Sequence, residues 1–494
     1  MGKERKVLDR KERVCEILFL VLVFCFLFIW AAKAPFNSSP DEEMRYRVSE
    51  YIMNHGSLPD GRDPEIRNPN WGISYAFNPY ISCILAALFG KVTTLFTDSF
   101  RALYLSMRLV NVIFGTLTAF VALRIGKRLF EKEKAWFFTV AVTFLPGAAF
   151  LHTYMNMDSV ALLSTAWIFY CWVRVVQEGW TGKICIQLGF AMSLCIHSYY
   201  NSYGFLLCSA VFFVGSMMKG NQKQWDFPQM WKKGLLMLGI VFLLCGWWFI
   251  RNAVLYDGDI LGMATSSKYA ERYAIEELKP SNRATPQSLG MTVGQMFFWI
   301  PSGWKYNWLG TVAASFVGTF GFMKIFMPEL WTKSYLVFLA LGILGVIPVW
   351  KRIFCVARSK VREERIKKED GVWITRQYRK AKVWNMENWM RICLALTIII
   401  PGFLLIYYAY ASDFQAQGRY LMPALFPVMY FMVLGYGNWL DKLVKSDRVK
   451  KWFYRIASFV WVASCVMVYL VVYAAIVRSK IPLRQVISTF FRRL

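Results

Sequence analysis

The chain has 494 residues, 56% of them hydrophobic and 17% aromatic, with a mean hydropathy of +0.36 and a formal net charge of +27. The apolar residues gather into many runs of spanning length separated by short charged loops, which excludes a string of ordinary soluble domains. The basic residues cluster at the edges of those runs, as the positive-inside rule accounts for, and no basic groove or face emerges, so no nucleic-acid partner is expected.

The fold class that follows is an all-α polytopic membrane protein, a single integral membrane domain over 1–494. The segment MGKERKVLDRKER carries six basic and three acidic residues before an apolar run from about 14 to 32. That run is long for a cleavable signal and lacks a small-x-small site, so it reads as a retained first span with a cytoplasmic N-terminus. The first outer loop, within 33–101, holds seven acids between Pro35 and Asn78 and the turn-rich string LPDGRDPEIRNPNWG, which cannot enter hydrocarbon. In SPDEEMRYRVSEYIMNH, Ser39 has the spacing of an N-cap, Pro40 of a first helical residue and Glu42 of a capping-box partner. Met44, Val48, Tyr51 and Ile52 then form one apolar stripe, so a helix is expected to lie on the membrane surface to about Asn54, with Gly56 as its stop.

Apolar stretches follow at about 79–97, 102–123, 135–152 and 158–177. The linker 124–134, with five basic residues and two acids, belongs on the cytoplasmic side. Strict alternation satisfies this only if 79–97 is a juxtamembrane or re-entrant helix rather than a crossing. In that register 184–199, 203–218 and 234–255 are spans, and 256–328 is a second outer region with surface or re-entrant pieces near 288–300 and 308–326. A span near 334–350 leads to the loop 351–390, with twelve basic and five acidic residues, a cytoplasmic anchor beside anionic lipid. Spans at about 391–411, 420–438 and 453–476 complete a count of about eleven. The tail VRSKIPLRQVISTFFRRL, with five basic residues, lands outside in this register, against the charge rule, and reads as an amphipathic surface helix or a register one crossing off. No cysteine falls in a long outer loop, so a disulfide framework is not expected. The histidines are His55, His152 and His197, and no cluster has metal-ligand spacing.

This threading gathers polar groups on one face: Asp41, Glu42, His152, Asn156, Asp158, His197, Tyr199, Tyr200, Asn201, Arg251, Asn252, Gln417 and Arg419. Each has a plain structural alternative. Acids in a first helical turn complement the macrodipole, Asp158 could cap the span it opens, and an arginine heading a span can snorkel. Carboxylates facing guanidinium groups are nevertheless what group transfer from an anionic lipid carrier needs, one accepting a proton while arginines hold the departing phosphate.

The segment SPDEEMRYRVSEYIMNHGSLP resembles the first outer loop of GT-C superfamily membrane glycosyltransferases, in particular a bacterial branch related to protein O-mannosyltransferases and lipid A aminoarabinose transferases. FLPGAAFLHTYMNMDSVALL resembles that branch's Asn-x-Asp before a span, GWWFIRNAVLYDGD its Trp-Arg-Asn ending, SFVGTFGFM its Ser-Phe-Trp-Gly-x-Phe-Gly-Trp segment, and QGRYLMPALFP its Gln-Gly-Arg-Tyr-Leu-x-Pro motif. The five lie in order over about 38–430. The resemblance implies a GT-C-like bundle, a polyprenyl-phosphate-sugar donor, a glycan, lipid or protein acceptor in the cell envelope, and inverting transfer on the outer face of a bacterial plasma membrane. It implies Asp41 as general base, Glu42 as an orienting residue and Asp158 as a second acidic site residue. Charge and position add Arg251 and Arg419 for the phosphate, and His152, Asn156, Tyr200, Asn252, Gln417 and Tyr420 as substrate contacts. No cofactor is required, and a divalent ion is an open addition. The chain departs from the branch at Arg45, where a histidine is usual, at HSYYNSY, where a basic residue is common, and at Val317 and Phe322, where tryptophans stand. The sequon Asn37-Ser38-Ser39 matters only in a glycosylating compartment. A transporter or flippase, or a polymerase of lipid-linked glycans, is the competing class. A transporter calls for internal repeats and charges within spans, and no convincing repeat is present.

Overall fold

The computed structural model describes residues 2–219, 224–355, 362–367, 373–378 and 385–474. The C-terminal tail and 17 of the 40 residues of the basic loop 351–390 lie outside them. The chain is an all-α integral membrane protein. Eight of the described helical stretches are long and apolar enough to cross a bilayer: Arg10–Lys33, Phe100–Leu129, Asp158–Glu178, Phe227–Leu255, Glu329–Phe354, Met386–Ala411, Gly418–Leu443 and Asp447–Ala474.

In chain order the helices are α1 (Gly2–Lys33), α2 (Glu42–His55), α3 (Ile81–Thr94), α4 (Phe100–Leu129), α5 (Lys132–Thr143), α6 (Pro146–Leu151), α7 (Asp158–Glu178), α8 (Gly182–Ile196), α9 (Gly204–Ser216) and α10 (Phe227–Leu255). They continue as α11 (Met263–Tyr273), α12 (Val293–Phe298), α13 (Trp308–Gly318), α14 (Glu329–Leu344), α15 (Trp350–Phe354), α16 (Met386–Ala411), α17 (Leu425–Leu443) and α18 (Asp447–Met467). A 3-10 stretch, Gly418–Ala424, leads into α17. The described strands make three two-stranded ribbons, one of them the hairpin Thr319–Phe320 with Ile325–Phe326 after α13.

Three stretches expected as spans are shorter or broken. The run 135–152 is divided between α5 and α6 because Pro146 occupies the first turn of a new helix and the preceding Leu145 takes an extended conformation. Helices α8 and α9 have 15 and 13 residues, about 20 Å of rise each against a hydrocarbon core of about 30 Å. Helix α3, with 14 residues, is likewise too short to cross. It packs on α2 and α4.

The core is aromatic. Trp30, Phe150, Phe320 and Tyr473 meet where α1, α6 and the α13 hairpin converge, at ring separations of 5.3–5.9 Å. Helices α14 and α17 cross through Gly342 and Gly435, where a methyl on Gly435 would collide with the Gly342 carbonyl. Small residues bring two backbones together in this way when lipid supplies no hydrophobic drive.

Candidate active site at the heads of the spans

The site begins with a buried clamp. Glu42 and Arg108 are both fully buried and form a bidentate pair, Nε to Oε1 at 2.6 Å and Nη2 to Oε2 at 2.8 Å. Arg108 also donates to the carbonyls of Ala31 (2.7 Å), Ala34 (2.6 Å) and Pro35 (2.8 Å), which satisfies acceptors that the end of α1 leaves open. Glu42 accepts from the backbone N–H of Asn37 (2.9 Å) and Met155 (3.3 Å). One ion pair thus fixes the exit of α1, the start of α2, the face of α4 and the turn before α7.

That clamp corrects the expected capping box. The helix starts at Glu42, and its N-cap is Asp41 in the left-handed region (φ 64°) with no side-chain cap bond. The Glu42 carboxylate is taken by Arg108 rather than reaching back to Ser39, whose buried hydroxyl has no partner. A left-handed non-glycine residue costs about 1–3 kcal/mol, and such residues concentrate at functional sites. Here the conformation frees the Asp41 carboxylate from capping.

Freed from the cap, Asp41 Oδ2 accepts from Arg419 Nη2 at 2.7 Å and stays a quarter exposed. Tyr75 also donates to it. Burial pushes the Asp41 carboxyl up, but the guanidinium groups of Arg419 and Arg45 and the Arg419 and Tyr75 hydrogen bonds outweigh it, leaving the pKa below the ordinary value. Asp158, 4% exposed, opens α7 within electrostatic reach of Arg419, Arg45 and Asp41, and its Oδ1 has no hydrogen-bond partner.

Asn156 holds the turn that presents Asp158. Its Nδ2 donates to the carbonyls of Leu151 (2.6 Å) and Tyr154 (2.9 Å), its Oδ1 accepts from Ser159 N, and its own carbonyl accepts from Ser82 and Asn111. Both ends of that side chain are therefore used within the turn. His152 Nδ1 lies 2.6 Å from Ser159 Oγ and its ring backs onto Gly115 of α4.

Arg419 is placed by a close approach. Gly418 donates its N–H to Ser315 Oγ at 2.6 Å, and a Cβ there would strike the Phe316 backbone. The same α13 segment meets Gly147 of α6 through the Phe316 carbonyl. Three of the quoted sequence segments therefore fold against one another. Tyr420 lies 3.4 Å from Arg419 Nη2 and donates to Gln415 at 2.7 Å; Gln417 Nε2 donates to the same Gln415 oxygen at 3.1 Å. Tyr199 stacks on Tyr420, and Asn201 donates to the Tyr420 carbonyl.

The structure brings together Asp41, Asp158, Arg419, Tyr420 and, through Gln415, Gln417. Other residues expected at the site spend their side chains on backbone carbonyls. Arg251 donates to Leu58 O and Pro59 O of the first outer loop (2.7 Å to the latter), and Asn252 to Ile260 O and Tyr200 to Leu261 O (3.0 Å) of the second outer region. The sequence reading missed Arg45, Tyr75 and Arg108. Arg45 stood out only as a departure from the family pattern, and Arg108 is hidden inside an apolar run. Among the described residues no group of three His, Cys, Asp or Glu side chains is placed to hold a metal ion.

Residues 84–248, about a third of the chain and the stretch from α3 to α10, match the family described as dolichyl-phosphate-mannose-protein mannosyltransferase. This match supports a GT-C superfamily membrane glycosyltransferase, the class that the sequence motifs resemble. Among solved structures the chain is similar to the Archaeoglobus fulgidus oligosaccharyltransferase AglB in complex with an inhibitory peptide and a dolichol-phosphate (12% identity, 90% of this chain and 55% of that one, TM-score 0.48). It is also similar to ArnT from Cupriavidus metallidurans bound to undecaprenyl phosphate (13% identity, 95% and 73%, TM-score 0.45). The chain spans about half the length of the oligosaccharyltransferase. Comparison with curated proteins by sequence gives no match.

Proposed function

We propose that this protein moves one sugar from a polyprenyl-phosphate carrier to a cell-envelope acceptor, with inversion, on the outer face of a bacterial plasma membrane. The acceptor hydroxyl oxygen attacks the anomeric carbon, the bond from that carbon to the phosphate oxygen breaks, the hydroxyl proton passes to Asp41, and the polyprenyl phosphate leaves. The observation that supports this reading most is the Asp41–Arg419 pair beside the buried Asp158 carboxylate, at the heads of two spans. In the resting site Arg419 holds Asp41 ionised. A donor phosphate that draws Arg419 to itself releases Asp41 to act as a base, so donor binding switches the base on. Tyr420 and Gln417 border the same space, and Glu42 acts through the clamp that sets Asp41. Guanidinium groups meet the phosphate charge in this reading, with a divalent ion only an addition.

The test is transfer of labelled sugar from a polyprenyl-phosphate donor by the full chain in membranes. Asp41→Asn is expected to lower transfer by at least a hundredfold, within the ordinary range for a general base, with insertion unchanged. Full activity in that variant would sink the role given to Asp41.

A further inference from the structure

Arg45 is the guanidinium of the cluster to which the fold gives no directly hydrogen-bonded carboxylate, although Asp41 and Asp158 lie within electrostatic reach. It is 3% exposed, in the first turn of α2, four residues after Asp41. Its guanidinium lies 4.2 Å over the Tyr75 ring. Its Nε is buried without a hydrogen-bond partner, and among the described residues no carboxylate pairs with it within 4 Å. Other arginines of this face are engaged: buried Arg108 by Glu42 and three carbonyls, part-buried Arg419 by Asp41, and part-buried Arg251 by Leu58 and Pro59. A guanidinium has five donors in a planar fork. Burying it with a ring face as its only close partner leaves the stripped water unreplaced, which a fold avoids unless another group arrives. Arg45 also borders a crevice with Ser82, Cys83, Asn111 and Asn156 that is too narrow for a water molecule as it stands, so a phosphate reaches the guanidinium only as these side chains give way.

We propose that Arg45 is a phosphate-binding residue, its guanidinium gripping the carrier phosphate opposite Arg419. The inference rests on the donor reading above. The charge count supports it. In the resting cluster Asp41 and Asp158 balance Arg419 and Arg45. When the sugar leaves, the carrier phosphate goes from a diester with one negative charge to a monoester with two, while Asp41 takes the hydroxyl proton and loses its charge. Positive charge freed on the protein thus appears as negative charge grows on the phosphate, and Arg45, which no carboxylate pairs directly, stands beside Arg419 to answer it. A bidentate fork fits a phosphate in a way a histidine cannot, which gives the departure from the family pattern at this position a chemical meaning.

The experiment measures binding of a short-chain polyprenyl phosphate, and of the polyprenol of equal length, to the full chain in nanodiscs. The wild type is expected to prefer the phosphate. Arg45→Gln is expected to lose at least tenfold in phosphate affinity with polyprenol binding unchanged, which separates a phosphate contact from a damaged fold. Phosphate affinity equal to wild type in Arg45→Gln, or an equal loss for phosphate and polyprenol, would overturn the proposal. Inorganic phosphate competing as well as the lipid phosphate would overturn the assignment to the carrier. Sugar transfer by the wild type separates the two levels: transfer with unaltered binding in Arg45→Gln refutes the role of Arg45 alone, whereas a wild type with neither phosphate preference nor transfer refutes the donor reading and this inference together.

Discussion

Asp41 carries two properties that pull against each other: the proposal makes it a base, yet its pKa is held below the ordinary value of 3.8. Burial raises it, and the Arg419 and Arg45 charges more than offset that. With a depressed folded value, the Asp41–Arg419 pair contributes its stability at all pH above the ordinary value and loses it as pH falls through the lower folded one. The acid limb of the wild-type pH profile should therefore lie below about pH 4. Arg419→Gln removes the stronger of the two opposing charges, so burial regains weight and the limb of kcat/KM should move up, alongside a loss of rate. An acid limb that stays in place would show that Arg419 does not set the ionisation of Asp41. Little of this was visible in the sequence. Asp41 and Arg419 stood out by charge and motif, but their contact joins positions 378 residues apart, and local patterns carry no information about such a pairing.

Helix α2 shows where legibility stops at the scale of an element. Its apolar stripe, its acidic first turn and its end at Gly56, left-handed at φ 65°, follow from the sequence by spacing alone. Its first turn does not, because the competitor for Glu42 is Arg108, a charge within α4 that hydropathy averaging conceals. Tertiary pairing overrode a good local capping signal. The pair is fully buried, so removing one partner strands the other. Glu42→Gln should destabilise the protein by about 3–5 kcal/mol, read as a lower melting temperature in detergent. Arg108→Met combined with Glu42→Gln should recover part of the loss, since no charge is then left unpaired. A double variant as unstable as the sum of the singles would show that the two residues act separately. The turn at Asn156 teaches the converse: Asn-x-Asp was legible as a motif, and the fold spends its Asn on building the turn and presents its Asp.

Across the whole molecule, ion pairs at one end and the site at the other set the relative direction of the spans. Arg124 and Lys127 near the end of α4 pair with Glu16 of α1, Lys132 with Glu12, Arg128 with Glu178 at the end of α7, and Arg455 of α18 with Glu133. The opposite ends of α1, α4 and α7 meet at Glu42, Arg108 and Asp158. Because α3 is too short to cross, α1 and α4 run in opposite directions, as the charge pattern of 124–134 requires. Composition and loop charge were enough to predict that α1 and α4 run in opposite directions, while the lengths of α5, α6, α8 and α9 depended on packing against neighbours and were not predicted. The positive-inside rule predicts a cytoplasmic basic end, and a site facing out follows from it as part of the proposal. In intact cells, with a membrane-impermeant maleimide and the native cysteines replaced, a cysteine at Arg128 should stay unlabelled until the membrane is opened, and one at Glu276 should label at once. Both sites are accessible enough to react, Arg128 at 32% and Glu276 at 74% side-chain exposure. The reverse pattern would turn the whole bundle over and put Asp41 on the cytoplasmic face, and labelling of both from outside would mean that α4 ends on the same side as α2.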